Sequence, residues 1–273
     1  MNFANSFLKI LLAVTLIFIF GSSAKWPILS TTICSIIFSF LALYFSKTLF
    51  SFKNTDEKYP KDHIKNIIYF IVPAGLTIFA FSTLSNIDIV IVKNLFSETE
   101  TGIYSSASII GKIALFLPGI LTSILFPQVL ANEKNQKSSL NLLFTAIGLT
   151  TILSGSFTLA SFLFPEIIIK ILFGSKYIQA STLLPSVALA MSSLAVLNIL
   201  MNFLMAKKQF FYLIPVYGCL AILYFGKEYI NLQHIQNVPK TIFVIALLSI
   251  ISIAVVLLVK HSKLFFYNSS NNV

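Results

Sequence analysis

Three charged side chains, Asp88, Lys93 and Lys112, lie inside long apolar runs, where an ion finds little water to solvate it. A charge in such a place is costly, so it normally faces a helix-bundle interior or a wet cavity and pairs with another polar group. The runs that carry Asp88 and Lys112 are separated by a turn centred near Glu98. Both residues then sit about ten to fourteen positions from that turn, or roughly 15 to 20 Å of helix, and so at comparable depth. They can meet. The pair has two possible uses: a salt bridge that only locks two helices together, or an ammonium offered to an anionic ligand while the carboxylate tunes its position and charge. Lys93, about a turn and a half from the outer end, can instead snorkel to the interface. Ser82, Asn86 and Lys93 fall near one helical face, and Ser105, Ser108 and Lys112 line one face of the next helix. Two polar stripes on adjacent helices predict a hydrated seam.

Covalent chemistry has no comparable basis. No span combines Ser with His and Asp, pairs two nearby carboxylates, or places a Gly-rich phosphate loop after a strand. Cys34 and Cys219 lie within apolar runs without metal-ligand spacing and read as small buried hydrophobes. His63, His234 and His261 fall in loops or the tail, away from any carboxylate or cysteine cluster, and read as solvated. The expectation is therefore no catalytic residue, no metal and no cofactor. With no Arg and no large extracytoplasmic loop, a membrane glycosyltransferase or polymerase is hard to assemble.

The elements that must position these charges are apolar runs recurring about every thirty residues, each long enough at roughly twenty residues to cross a bilayer as a helix. Composition agrees, since 57% of residues are hydrophobic and only 10% are charged, too few for a soluble domain of this length. The fold class is all-α, a polytopic membrane protein of about eight transmembrane helices. They are read at residues 8–24, 26–46, 64–96, 102–130, 140–164, 182–206, 210–226 and 241–259. Trp26 sits where an interfacial aromatic belongs. The third and fourth runs are too long for a simple crossing; Pro73 and Gly75 in one, and Pro118 and Pro127 in the other, predict kinks. A short amphipathic passage covers 166–177. Small and hydroxylated residues at Thr150, Ser154, Thr158 and Ser161, and the pair Asn198 and Asn202, read first as helix-packing groups.

The net charge of +10 comes from 19 Lys without Arg, set against 9 acidic residues. The lysines lie between apolar runs and form no basic domain, so the reading is cytoplasmic loops and no nucleic acid. Alternate loops and the C-terminal end carry most of the lysines, which puts that set and both termini in the cytoplasm. The chain start, with Lys9, an apolar run, Ser22 and Ala24, also imitates a secretory signal with a cleavage site. The longest hydrophilic connection marks a boundary: two helices over 1–46, a cytoplasmic linker at 47–65, a six-helix unit over 66–260, and a polar tail at 261–273.

The order Asn86-Ile-Asp88 through Lys93, Gly102-Ile-Tyr104, Gly111-Lys112, Leu117-Pro118 and Phe126-Pro127 resembles the start of the C-terminal lobe in lipid-linked oligosaccharide flippases, O-antigen transporters included. These belong to the multidrug, oligosaccharidyl-lipid and polysaccharide exporter superfamily. Leu172-Phe-Gly174 with Tyr177, and Ala206-Lys207, resemble later family features, so the likeness covers most of 64–206 and continues to 259 by helix count. It implies a C-terminal lobe preceded by the last two helices of an N-terminal lobe, in the plasma (inner) membrane. Three forms are compatible with that register: an inactive truncated product, a split transporter completed by a separate chain, or a homo-oligomer. The implied partners are membrane lipid and a polyprenyl-diphosphate-linked oligosaccharide, whose charge suits a cationic, partly wet cavity. The implied substrate-binding residues are Lys112 for the anion, with Asp88, Asn86 and Lys93 around it, and the implied hinges are Pro73, Gly75 and Pro118. Two alternatives stay open: multidrug export by the same superfamily, and a non-transporting scaffold or inactive remnant in a polysaccharide assembly locus.

Overall fold

A computed structural model describes residues 2–21, 25–49, 61–131, 136–225 and 234–270. Among these the chain is helical with no strand. It divides into two compact units, Met1–Pro60 and Lys61–Val273.

In the first unit α1 (Asn2–Phe20) packs against α2 (Lys25–Leu49). Both helices keep Ile10, Phe18, Phe40 and Tyr44 on their exposed surfaces, a pattern that suits hydrocarbon and not water. Cys34 is buried. Most of the linker expected at 47–65 lies outside the described residues.

The second unit opens with α3 (Lys61–Leu84) and α4 (Ile87–Leu95). The kink expected near Pro73 is not where this segment breaks: α3 continues through Pro73, and the chain turns at Ser85 and Asn86. The cause is side-chain competition for the backbone. Ser85 Oγ and Asn86 Nδ2 both donate to the Ser82 carbonyl, at 3.1 and 2.8 Å, and so replace the next helical turn. At Pro73 the following turn is held instead, with Thr77 Oγ1 donating to the Pro73 carbonyl at 2.8 Å and lying 2.6 Å from the Tyr212 hydroxyl.

The next run comprises α5 (Glu98–Gly111), α6 (Ile113–Phe116) and α7 (Gly119–Ala131). One interruption falls at Pro118, as expected, whereas Pro127 sits inside α7; a further interruption falls at Lys112. Proline at 118 has no N–H to give the Ala114 carbonyl four residues back. Ser154 Oγ of α8 (Gln136–Leu163) supplies the missing donor at 2.8 Å.

Beyond α8 come α9 (Pro165–Phe173) and a 3-10 segment, Ser175–Thr182, which take up the amphipathic passage expected at 166–177. Gly174 between them has φ of 82°, a conformation that a side chain would strain. Ile169 faces inward while Ile167, Ile171 and Leu172 are exposed. The remaining helices are α10 (Leu184–Ala206), α11 (Leu213–Phe225) and α12 (Asn237–Ser270). The last of these runs through most of the segment read from sequence as a polar tail.

The core gathers around α10, which packs on α5, α6, α7, α8 and α12. Its apolar stretch is 72% buried, against 17% for α3 and 28% for both α8 and α12, so the outer helices turn much of their apolar surface outward. Five segments are long and apolar enough to cross a bilayer: 67–84, 98–131, 139–163, 184–206 and 237–257. Shorter apolar helices span Leu8–Ile19, Ile28–Tyr44 and Phe210–Tyr224, so the apolar segments together match the eight runs read from sequence. The chain is an all-α polytopic membrane protein.

Close approach to α10 depends on small residues, because lipid offers helices no hydrophobic gain for associating. A Cβ at Gly111 would stand 2.6 Å from Val187 Cγ1 and 3.3 Å from the Ala188 nitrogen. Only glycine lets the end of α5 lie so near.

Candidate functional site

The hairpin of α4 and α5 is set by a capping box. Ser97 Oγ accepts from the Glu100 amide, and the Glu100 carboxylate accepts in turn from the Ser97 amide at 3.1 Å and the Ser97 hydroxyl at 2.7 Å. This fixes where α5 starts and therefore which of its residues meet α4. Tyr104, Ser108 and Lys112, four apart, form one edge of α5 and its C-terminal end.

Asp88 lies opposite them, 0% exposed. Its two oxygens have different surroundings. Oδ2 accepts from the Ser108 hydroxyl at 2.6 Å and the Tyr104 hydroxyl at 3.4 Å. Oδ1 has no hydrogen-bond partner and lies 4.0 Å from Lys112 Nζ. The ammonium makes its direct hydrogen bond to a neutral acceptor, Asn86 Oδ1, at 3.0 Å. Asn86 is itself oriented by the bonds from its Nδ2 to the Ser82 carbonyl and to Ser85 Oγ. Lys112 retains 11% side-chain exposure, whereas Asp88 has none.

Of the four candidate residues, the fold thus brings together Lys112, Asp88 and Asn86. Lys93 stands apart: it is exposed and lies roughly 140° around α4 from Asp88 at 3.6 residues per turn. Ser82 lies with Asn86, as the first polar stripe required, and the second stripe keeps Ser108 and Lys112 but not its first member. Tyr104, not Ser105, reaches the carboxylate. The signal for Tyr104 was its spacing of four and eight residues from Ser108 and Lys112.

Two members of the hydroxyl stripe on α8 close helix contacts. Ser154 satisfies Ala114, and Thr158 Oγ1 lies 2.5 Å from Ser192 Oγ on α10. Asn202 Nδ2 donates to the Asn198 side chain at 2.8 Å and to its carbonyl at 2.9 Å. Ser154 and Thr158 thus hold α8 to its neighbours, whereas the asparagine contact stays within α10, Ser161 Oγ donates to the Phe157 carbonyl of its own helix, and Thr150 Oγ1 is buried without a partner.

Residues 1–182, two-thirds of the chain, match the model of a family described as polysaccharide biosynthesis protein. The chain belongs to this family. The matched range contains the whole cluster around Asp88 and ends just before α10. No curated protein and no solved structure matches the chain. Membership in the polysaccharide biosynthesis family agrees with the resemblance to the exporter superfamily and places the chain's role in making or moving a polysaccharide.

Proposed function

We propose that this polysaccharide biosynthesis protein takes part in moving polyprenyl-diphosphate-linked oligosaccharide across the plasma membrane and makes no covalent bond. The observation that carries the reading is the Lys112 ammonium at a helix interruption, hydrogen-bonded to Asn86, 4.0 Å from the buried Asp88 carboxylate and not fully enclosed itself. A diphosphate is an anion that such a group can hold as a point charge. Transporters built from lobes carry their substrate between them and rock one lobe against the other. On this reading residues 66–260 are one lobe and Lys112 lies on the wall of the path, facing a second lobe from the same polypeptide, another chain or a second copy. Both termini then lie in the cytoplasm.

The test is restoration of glycan export in a flippase-deficient strain, with membrane levels of each variant checked by blotting. Lys112→Ala is expected to abolish restoration and Asp88→Ala to reduce it strongly. If both restore export as well as the parent at equal abundance, the cluster has no part in transport.

A further inference from the structure

A carrier must let go of its substrate, and the unequal oxygens of Asp88 suggest how this site does so. We infer that Asp88 is an internal competitor for the Lys112 ammonium, a resident anion that weakens substrate diphosphate binding and reclaims the cation when the substrate leaves. This rests on the reading of Lys112 as the anion-binding group.

Three features of the geometry carry the inference. First, the carboxylate is anchored independently of the lysine, since Ser108 and Tyr104 both donate to Oδ2. It therefore stays in place when the ammonium moves. Second, Oδ1 is buried without a donor and faces Nζ at 4.0 Å, beyond hydrogen-bonding reach but well within electrostatic range. A pair built only to lock two helices would close to about 2.8 Å, as charge-assisted bonds do. Third, the ammonium has three protons and gives one to Asn86, a neutral amide, so it can turn its others toward a newcomer without breaking its best bond. The burial is graded in the same sense: Asp88 is fully enclosed while Lys112 is partly open. An external phosphate oxygen approaches from the open side and shares the cation with the carboxylate behind it.

The resting pair also answers the cost of leaving a cation alone in a bundle of low dielectric. A carrier without Asp88 would release its anion slowly and, once empty, would leave the cation without a partner. With Asp88 the cation has a partner in both states, and the two states differ less in energy.

The experiment uses the full chain in lipid nanodiscs, with geranylgeranyl diphosphate as the lipid probe and inorganic pyrophosphate and geranylgeraniol as comparison probes, read by calorimetry. Asp88→Asn keeps an oxygen for Ser108 and removes the charge. It is expected to tighten diphosphate binding by about tenfold, the low end of what close, desolvated charge pairs are worth, while restoring glycan export less well than the parent. Geranylgeraniol is expected to bind parent and variant alike. Tightening for pyrophosphate as well supports the competition and assigns recognition to the diphosphate group itself. The variant is taken as folded when it is monodisperse, unfolds at the parent's midpoint and binds geranylgeraniol as the parent does, and equal or weaker diphosphate binding by that folded Asp88→Asn protein overturns the inference. Lys112→Ala separates the two claims. If it binds diphosphate as the parent does, the Lys112 reading fails; if it loses binding while Asp88→Asn does not gain it, only the competitor role fails.

Discussion

At the scale of single residues, the cost of the buried Asp88 carboxylate is distributed unevenly over its neighbours. Ser108 at 2.6 Å makes the short bond and Tyr104 at 3.4 Å a long one, so the two hydroxyls differ in worth. Removing a donor to a charged group costs about 1.5–3 kcal/mol when the geometry is good and much less when it is stretched. Ser108→Ala is therefore expected to lower the thermal unfolding midpoint of the detergent-solubilised protein more than Tyr104→Phe does. The reverse order would show that the hydroxyl of Tyr104, and not that of Ser108, holds the carboxylate. That Asp88 and Lys112 approach each other was legible from chain distance alone, because two helices joined by a tight turn keep equal depths in register. The role of Tyr104 was not. A stripe at spacings of three and four admits Ser105 as well as Tyr104, and only the rotation set by the Ser97 capping box decides between them.

At the scale of elements, interruptions decide the architecture, and they arise in two ways. Pro118 breaks its helix by lacking an N–H, a property written in the residue, and Ser154 of α8 closes the gap. The turn at Ser85 and Asn86 needs no proline: their side chains take the Ser82 carbonyl, an option open to many Ser and Asn residues that sit harmlessly in helices elsewhere. Sequence therefore located the first break and gave no sign of the second, because nothing but ordinary Ser and Asn marks 85 and 86. The contact of α5 with α10 rests on the missing Cβ of Gly111. Gly111→Ala should cost about 1–3 kcal/mol through overpacking against Val187. In a Val187→Ala background the same change should cost far less, because the clashing Cγ1 is gone. Four-way comparison of unfolding midpoints checks this; additive effects would mean that the two side chains do not meet.

At the scale of the whole molecule, the sorting of residues is the reverse of a soluble protein's. α3, α8 and α12 expose Ile78, Phe79, Ile152, Leu159, Val244 and Ile251, while Asp88 is enclosed. α10 occupies the centre of the second unit with Ala188, Ala190, Ala195 and Ser193 buried along it, small residues that let neighbouring helices come near. This division was legible in the apolar runs, since a bilayer dictates their length; which run becomes the hub was not, because α10 is no more hydrophobic than the helices around it and only packing distinguishes it. If the polar face beside Asn86 lines the proposed path, the exposed surface is of two kinds, one toward lipid and one toward water. Ser82 is exposed on the same helical face as Asn86, and Ile152 is 66% exposed on α8. After Cys34 and Cys219 are replaced by Ala, a water-soluble thiol reagent applied to membranes should modify Ser82→Cys and spare Ile152→Cys. Detergent should then make Ile152→Cys reactive. If Ile152→Cys reacts in intact membranes while Ser82→Cys resists, the polar seam is turned toward hydrocarbon, and Lys112 has no aqueous route by which an anion could reach it.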